Sequence, residues 1–284
     1  MASARQLRSA LLAIVAGMVC VASASGQGQV AGWGKFAFPT PSLLRFTQVS
    51  AGDMHTVALK ADGTVVVWGD NRDGECTVPT GLSGVTQVAA GGSHTVALQG
   101  DGTVVAWGLN SYGQCTVPTG LTGVKQVAAG SYHTVALKAD GTVVAWGAGA
   151  TTLGEWPEYG QSIVPPGLTG VTQVSAGAFH TVALTGDGTV VAWGAGATDL
   201  GEWPEFGQSI VPPGLTGVTQ VAAGYFHTVA LKGDGTVVAW GSNSSGQRTV
   251  PPGLTGVTQV AAGSDHTVAL KAVSYTHLTL PTKA

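Results

Sequence analysis

One stretch of sequence, Thr86-Gln-Val-Ala-Ala-Gly-Gly-Ser-His94-Thr-Val-Ala-Leu98, recurs with small changes six times along this 284-residue chain. The histidines of the six copies are His55, His94, His133, His180, His227 and His266, spaced by 39, 39, 47, 47 and 39 residues. The first five copies continue into Asp-Gly-Thr-Val-Val-x-Trp-Gly, with Trp68, Trp107, Trp146, Trp193 and Trp240. A period near 40 residues that contains only strand and turn signals is typical of a β-propeller or a repeat array.

The unit at residues 86–124 predicts four antiparallel strands. Strands are expected at 86–90, 94–98 and 103–107, which are rich in valine and threonine. Asp101-Gly102 predicts a two-residue hairpin turn, and residues 113–118 predict a short fourth strand whose terminal proline suits a sheet edge. Four strands per unit make a propeller blade. The predicted fold class is therefore an all-β propeller of four-stranded blades, with six repeats in this chain.

The N-terminal residues 1–24 have the features of a secretory signal peptide. Arg5 and Arg8 precede an apolar stretch, and Ala22-Ser23-Ala24 forms an A-x-A cleavage site. A membrane anchor is the alternative, but the apolar stretch falls short of the ~20 residues that a membrane span requires. We therefore expect an exported protein that is secreted, periplasmic or at the cell surface, with its propeller repeats at residues 25–272.

Residues 273–284 depart from the repeat and are expected to be a non-native tail that resembles a translated sequencing adaptor. The natural chain is then expected to continue beyond residue 272 and to form seven blades when intact. The N-terminal segment 30–34 repeats the strand that ends the other units, so we expect it to close the ring on the last blade. Six blades closed by this segment are the alternative.

Composition narrows the function classes. The chain has 44 glycines, 10% charged residues and a net charge of −3. A protein that binds nucleic acid needs a basic face to neutralise phosphates, so this class is not expected. Cys76 and Cys115 occupy the same position in neighbouring repeats, and a disulfide needs Cα atoms within about 7 Å. Two separate thiols are therefore predicted.

The residues that could carry chemistry have simpler structural explanations. Six histidines in register could suggest a metal site, but metal ligands must converge on one point, and these lie one per blade. We expect each to hydrogen-bond backbone within its own blade. The segment 70–75 faintly resembles a calcium loop, yet Arg72 stands where a ligand is needed. No nucleophile motif or phosphate loop is present, so neither an enzyme nor a cofactor is expected.

The repeats resemble the regulator of chromosome condensation repeat family, because Thr-Val-Ala-Leu follows each histidine and Trp-Gly ends each unit. The pattern Trp-Gly-x-Asn-x-x-Gly-Gln-x-Thr-Val-Pro, at 107–118 and with one extra proline at 240–252, is similar to the secreted bacterial short-repeat type typified by beta-lactamase inhibitory protein II. The resemblance implies a seven-bladed propeller. WD repeats are the rival, but they carry Trp-Asp instead of Trp-Gly.

The two residues before each histidine vary while their surroundings stay nearly constant. The pairs are Asp53-Met54, Gly92-Ser93, Ser131-Tyr132, Ala178-Phe179, Tyr225-Phe226 and Ser264-Asp265. Aromatic residues and methionine dominate interface anchors, which makes Met54 a candidate. The resemblance implies a partner-binding role for Tyr132, Phe179, Tyr225 and Phe226. Packing between blades is the alternative.

A second variable region follows Trp-Gly and is eight residues longer in the third and fourth repeats. These extensions contain Trp156, Tyr159, Trp203 and Phe206 within matching acidic, aromatic segments. Loops on a rigid scaffold are common sites of function. A recent duplication of one repeat explains the likeness of the two loops equally well.

These observations predict a monomeric, non-enzymatic module that binds a partner protein through loops on one propeller face. Binding of carbohydrate or cell-wall polysaccharide is the alternative, with Trp156 and Trp203 stacking on sugar rings. The resemblance also implies a third class, nucleotide exchange on a small GTPase. This class agrees poorly with export and with an acidic chain.

Overall fold

The computed structural model describes residues 46–151 and 156–271, together with the backbone of three short strands nearer the N-terminus. Those strands are β1 (Ile14–Val15), β2 (Met18–Val21) and β3 (Gln29–Val30), paired antiparallel in the order β1-β2-β3. Most of the predicted signal peptide and the whole of segment 273–284 lie outside the described residues. Val30 pairs with Cys20 of β2, and the rest of the predicted ring-closing segment, 31–34, is also outside them.

Each of the six repeats forms one antiparallel sheet, referred to below as blades 1 to 6. Their strands are β4 (Phe46–Ala51), β5 (His55–Lys60) and β6 (Val65–Gly69); β7 (Val85–Ala90), β8 (His94–Gln99) and β9 (Val104–Gly108); β10 (Val124–Ala129), β11 (His133–Lys138) and β12 (Val143–Gly147); β13 (Val171–Ala176), β14 (His180–Thr185) and β15 (Val190–Gly194); β18 (Val218–Ala223), β19 (His227–Lys232) and β20 (Val237–Gly241); and β21 (Val257–Ala262) with β22 (Thr267–Lys271). A small hairpin, β16 (Asp199–Glu202) and β17 (Glu205–Phe206), lies in the long loop of blade 4.

Two details of the predicted blade are wrong. Residues 113–118 form turns instead of a fourth strand, because Gly113 has φ +78° and Thr116 N–H bonds the Gly113 carbonyl instead of a neighbouring strand. The hairpin turn holds three residues, since Gln99 N–H bonds Thr103 O and Gly102 N–H bonds Gln99 O. Gly102 takes the left-handed position at φ +85°, as expected in a three-residue hairpin loop.

The first strands of the six sheets surround a central channel of about 360 Å³, lined largely by the Ala-Gly ends of those strands. A glutamine on the first strand of each of blades 1 to 5 links that strand to the next blade. Gln87 Nε2 donates to Val127 O at 3.2 Å, and Gln87 Oε1 accepts from Val127 N at 2.8 Å. The same paired bonds join Gln48 to Val88, Gln126 to Val174, Gln173 to Val221 and Gln220 to Val260.

The apolar cores lie between blades. Val57 and Leu59 of blade 1 pack with Val88, Ala97 and Trp107 of blade 2, and the same arrangement recurs between later blades. Each sheet is thus buried by its neighbours, as in other repeat architectures.

A polar relay accompanies each of these cores. His133 Nε2 lies 2.9 Å from Thr181 Oγ1 of the next blade, and Thr181 Oγ1 donates to Gln161 O at 2.8 Å. Because the hydroxyl has a single proton and gives it to Gln161, it must accept from His133, which places the imidazole proton on Nε2. Trp193 Nε1 donates to the same carbonyl at 3.0 Å. The histidines are therefore structural, as expected, but they bond a threonine of the next blade instead of backbone within their own.

A glycine makes room for each of these rings. A Cβ on Gly130 would stand 2.3 Å from His133 Cε1 and 2.4 Å from the carbonyl oxygen of Gly177. No side chain fits between the imidazole and the next blade, which accounts for the Ala-Gly or Ser-Ala-Gly end of every first strand.

Burial of these imidazoles makes stability depend on pH. Burial lowers the pKa of His94, His133 and His180 to about 3, and that of His55 and His227 to about 4, from an ordinary value of 6.5. At a pH between the lowered pKa of each histidine and the ordinary value of 6.5, the unfolded chain binds more protons than the folded chain. Stability is therefore fully retained above pH 6.5 and falls as the pH decreases. Each histidine contributes up to about 1.4 kcal/mol per pH unit.

We expect the urea midpoint of unfolding to fall steeply between pH 6.5 and pH 5. Asp140→Asn serves as the control, because hydrogen bonds from Thr142 hold the pKa of the Asp140 carboxyl at about 2. Loss of the Asp140 carboxylate should leave the pH dependence of the urea midpoint between pH 6.5 and pH 5 unchanged. A midpoint that is equal at pH 7 and pH 5 would contradict the histidine account.

Candidate functional site

Both variable regions lie at the same end of the blades. In blades 1 to 5, the residue before the histidine accepts a hydrogen bond from the start of the loop that follows Trp-Gly. Ala148 N–H bonds Tyr132 O at 2.9 Å, and Ala195 N–H bonds Phe179 O at 2.8 Å. The opposite end of each blade carries the hairpin turns. We use "loop face" for the end that is formed by the residue pairs before each histidine and the loops between each Trp-Gly and the following Gly-Gln or Gly-Glu.

The two long loops have an ordered internal structure. Glu158 Oε2 accepts from Gly149 N at 3.0 Å and from Thr151 Oγ1 at 3.2 Å. Gln161 Nε2 donates to Pro157 O at 2.6 Å. In the loop of blade 4, Glu205 Oε2 accepts from Thr198 N and Thr198 Oγ1, and Gln208 Nε2 donates to Pro204 O. These glutamates therefore hold their loops in shape as well as adding negative charge.

The long loops also satisfy a buried amide that the short loops leave without a partner. Gln161 and Gln208 are fully buried, and their Nε2 groups bond the proline carbonyls of the extensions. The equivalent Nε2 atoms of Gln114 and Gln247 in short loops have no partner within the described structure. The extension thus adds a hydrogen bond to the scaffold.

Aromatic side chains from both variable regions meet in one continuous cluster on the loop face. Adjacent ring centroids are 5.0–6.3 Å apart, which is the usual range for interacting rings. The nine members of this aromatic cluster are Tyr112, Tyr132, Trp156, Tyr159, Phe179, Trp203, Phe206, Tyr225 and Phe226.

The cluster follows the repeat. A ring from the loop of one blade packs edge-on against the ring before the histidine of the next blade, as Tyr159 does with Phe179 at 5.5 Å and Phe206 with Phe226 at 5.4 Å. Stacked contacts join Tyr132 to Phe179 at 5.8 Å and Phe179 to Phe226 at 6.0 Å. The rings thus continue from blade 2 to blade 5.

Exposure differs sharply within the cluster. Phe179 is only 3% exposed, whereas Trp156 and Trp203 are 50% and 53% exposed. The other six rings are half-buried. Phe179 therefore packs between blades, which was the alternative for such residues, while the two tryptophans present apolar surface to solvent. Trp156-Pro157 and Trp203-Pro204 are cis peptide bonds.

The structure brings together all eight predicted aromatics and adds Tyr112. Tyr112 N–H bonds Gln114 Oε1, as Tyr159 and Phe206 do with Gln161 and Gln208. When the repeats are aligned on their Gly-Gln pair, Tyr112 takes the position of Tyr159 and Phe206. This alignment is the sequence signal that could have predicted Tyr112 as a member of the cluster. Met54 belongs to the loop face and lines the channel, 46% exposed, apart from the ring contacts.

A carboxylate at the channel is the second feature that the sequence predictions missed. Asp53 Oδ2 of blade 1 accepts from Tyr225 Oη of blade 5 at 3.3 Å, across the channel. Asp53 is exposed at the channel opening, and partial desolvation of its carboxyl there raises the pKa of Asp53 above its ordinary value. Burial and the nearby Asp53 charge raise the pKa of Tyr225 to about 12, so the phenol stays protonated and donates.

Other candidate chemistry is not supported. Cys76 and Cys115 are free thiols, as predicted. Burial raises their pKa to about 11 and about 12, so they are poor nucleophiles. Arg72 Nε donates to Asp70 Oδ2 at 2.7 Å in the segment that resembles a calcium loop. No group of three metal-ligating side chains occurs among the residues whose placement is described. That part of the chain also contains no helix long and apolar enough to cross a membrane.

The fold and the repeats agree with comparisons to known proteins. Residues 37–276 match the family model of the RCC1-like domain, so the chain belongs to this family of β-propellers. Human WBSCR16 is 28% identical, with a TM-score of 0.65 over 83% of this chain and 74% of that protein. No curated protein matches the sequence.

Two further structures share the fold. Yeast RCC1 (Prp20), crystallised with Kap60 bound, is 24% identical with a TM-score of 0.62, covering 80% of this chain and 68% of its own. The ectodomain of the receptor kinase CR4 from Physcomitrella patens is 23% identical with a TM-score of 0.63, covering 89% and 67%.

The different exposure of Phe179 and Trp156 predicts different costs of truncation. We expect Phe179→Ala to lower the free energy of unfolding by about 3–5 kcal/mol, because it leaves a cavity among five rings. Trp156→Ala should cost about 1–2 kcal/mol, since half of its surface is already in water. Urea unfolding of both variants measures the difference. Equal losses would contradict the assignment of Phe179 to packing and of Trp156 to the surface.

Proposed function

We propose that this chain is an exported, non-enzymatic binding module that engages a partner protein through its loop face. The observation that carries the proposal is the aromatic cluster, whose two outermost tryptophans are half exposed. Trp and Tyr are enriched in interface hot spots because they combine a large apolar area with a polar group. Matching tryptophans on adjacent blades supply two such anchors side by side.

The size and rigidity of the loop face suit this role. A large aromatic side chain buries about 150–250 Å², so several of them account for much of the ~800 Å² that each partner contributes to a standard interface. The rings already pack against one another and on buried Phe179. Less side-chain entropy is therefore lost on binding than with isolated surface residues.

The relatives support the proposal at the level of the fold. Yeast RCC1, which shares this fold, has been crystallised with Kap60 bound, so a protein that contains such a propeller can bind a protein partner. The fold also occurs in a receptor ectodomain, which agrees with export. The closer resemblance to the secreted bacterial short-repeat type stays a prediction, and it leaves the identity of the partner open.

Carbohydrate binding is the second candidate. It is favoured by the exposure of Trp156 and Trp203, whose ring faces can stack on sugars. Protein binding agrees better with the cluster as a whole, because seven further rings and an acidic channel residue adjoin the tryptophans.

The double variant Trp156→Ala/Trp203→Ala tests the proposal. We expect it to lose the partner that the unmodified chain retains from the extracellular fraction of a native culture. Digestion of that fraction with protease should remove the partner, and digestion with glycosidases should not. The measurement is pull-down followed by identification of the retained protein.

Ile163→Ala/Ile210→Ala is the matched control, because these isoleucines are 40% and 44% exposed and belong to the same two repeats. It should retain the partner. Retention that survives protease but not glycosidase would instead support the carbohydrate candidate. If the tryptophan variant keeps every ligand, the loop face is not the binding surface.

Export has its own test. Mature protein recovered from the culture medium or the cell surface should begin at Ser25, after cleavage behind Ala24. N-terminal sequencing of that protein measures this directly. Full-length protein confined to the cytoplasm would contradict export without bearing on the aromatic cluster.

A further inference from the structure

The channel opening on the loop face holds a carboxylate without a cationic partner. Asp53 forms no ion pair with any lysine or arginine in the described ranges 46–151 and 156–271. Its Oδ2 atom accepts from Tyr225 Oη at 3.3 Å. The backbone of Gly92 lies against the same oxygen, since a Cβ there would come within 3.1 Å of it. Oδ1 is left for another donor.

Aromatic rings flank this carboxylate. Tyr225 contacts it directly. Burial, and after it the Asp53 charge, raise the pKa of Tyr132. Tyr225 and Tyr132 both contact Phe179 and belong to the aromatic cluster. A carboxylate beside aromatic rings is suited to a cation, because both the negative charge and the ring faces attract it.

The distribution of charge favours the same kind of ligand. Lys60, Lys138 and Lys232 end the second strands of their blades, five residues from the histidine and thus about 17 Å from the loop face. On the loop face, the described acidic side chains are Asp53, Asp70, Asp73, Glu75, Glu158, Glu202, Glu205 and Asp265. Two basic residues are described at these loops: Arg72 pairs with Asp70, and exposed Arg248 directly follows the Gly-Gln pair of the blade 5 loop.

We propose that the channel opening receives a lysine or arginine side chain of the partner protein, with Asp53 as its counter-ion and the rings of Tyr132 and Tyr225 beside it. This inference rests on the proposed function, because it names the chemistry that recognises the partner on the same face. The tryptophans supply apolar contact area and Asp53 supplies charge specificity. A basic protein surface is therefore preferred over a neutral or acidic one.

Small cationic probes test the inference without the partner. The chain is titrated with N-acetyl-arginine methylamide, N-acetyl-lysine methylamide and neutral N-acetyl-norleucine methylamide, while the ring signals of Tyr132 and Tyr225 are followed by NMR. Saturable shifts are expected with the two cations and not with the neutral probe. Asp53→Asn should weaken cation binding by about tenfold or more, because it removes the charge but keeps the shape.

Two variants control for fold and for net charge. Asp53→Glu keeps the charge and should retain saturable binding. Asp62→Asn removes one charge at the hairpin turn on the opposite end of blade 1, and it should bind both cations as the unmodified chain does. An unchanged unfolding midpoint establishes that Asp53→Asn is folded. If Asp53→Asn does not fold, Asp53→Glu, which keeps the charge, tests the role of the carboxylate.

The inference is overturned if neither cation gives a saturable shift, or if Asp53→Asn binds the cations as tightly as the unmodified chain does. Failure of this kind differs from failure of the proposed function. Trp156→Ala/Trp203→Ala would then still lose the protein partner, whereas Asp53→Asn would keep it.

Discussion

The relay from a buried histidine, through a threonine of the next blade, to a loop carbonyl is the interaction on which the rest of the structure depends. Its last acceptor, such as Gln161 O, ends the loop that follows Trp-Gly. The relay therefore anchors the end of one blade's loop against the start of the next blade's second strand. This explains why Tyr159, two residues before Gln161, meets Phe179, two residues before Thr181. The same bonds that align the blades also assemble the aromatic cluster.

Burial keeps the imidazole of the relay neutral, and the scaffold accommodates the neutral ring at a cost. Nδ1 of His133 is buried and has no hydrogen-bond partner among the residues that the structure describes, an unfavourable state for a polar atom. The apolar cores between blades and the paired glutamine bonds offset the cost of burying this nitrogen, since both recur at the same interfaces. A repeat protein multiplies each such interface along the chain. Small residues at the channel follow directly, because only glycine leaves space for the ring.

On this uniform scaffold, the positions that differ between blades form the loop face, to which the proposed function is assigned. The extensions of blades 3 and 4 are nearly the same in sequence, and they repeat the same arrangement one blade apart. Each tryptophan packs on the ring before the histidine of its own blade and on a loop ring of the preceding blade. Two matching loops on adjacent blades therefore create a continuous surface. Asp53 adds a charge from blade 1, which is distant in sequence but adjacent across the channel.

The sequence by itself determined the repeat, the three long strands of each blade, the glycine-containing turns, the separate thiols and the set of variable aromatic positions, because these depend on local spacing and residue type. Local pattern could not decide the partner of each histidine or which aromatics are buried. Those outcomes depend on contacts between residues about 40 or more positions apart, such as Phe179 between the rings of neighbouring blades and Asp53 beside Tyr225. Only the closely packed neighbouring blades bring such residues together, so only the tertiary structure distinguishes packing residues from surface anchors.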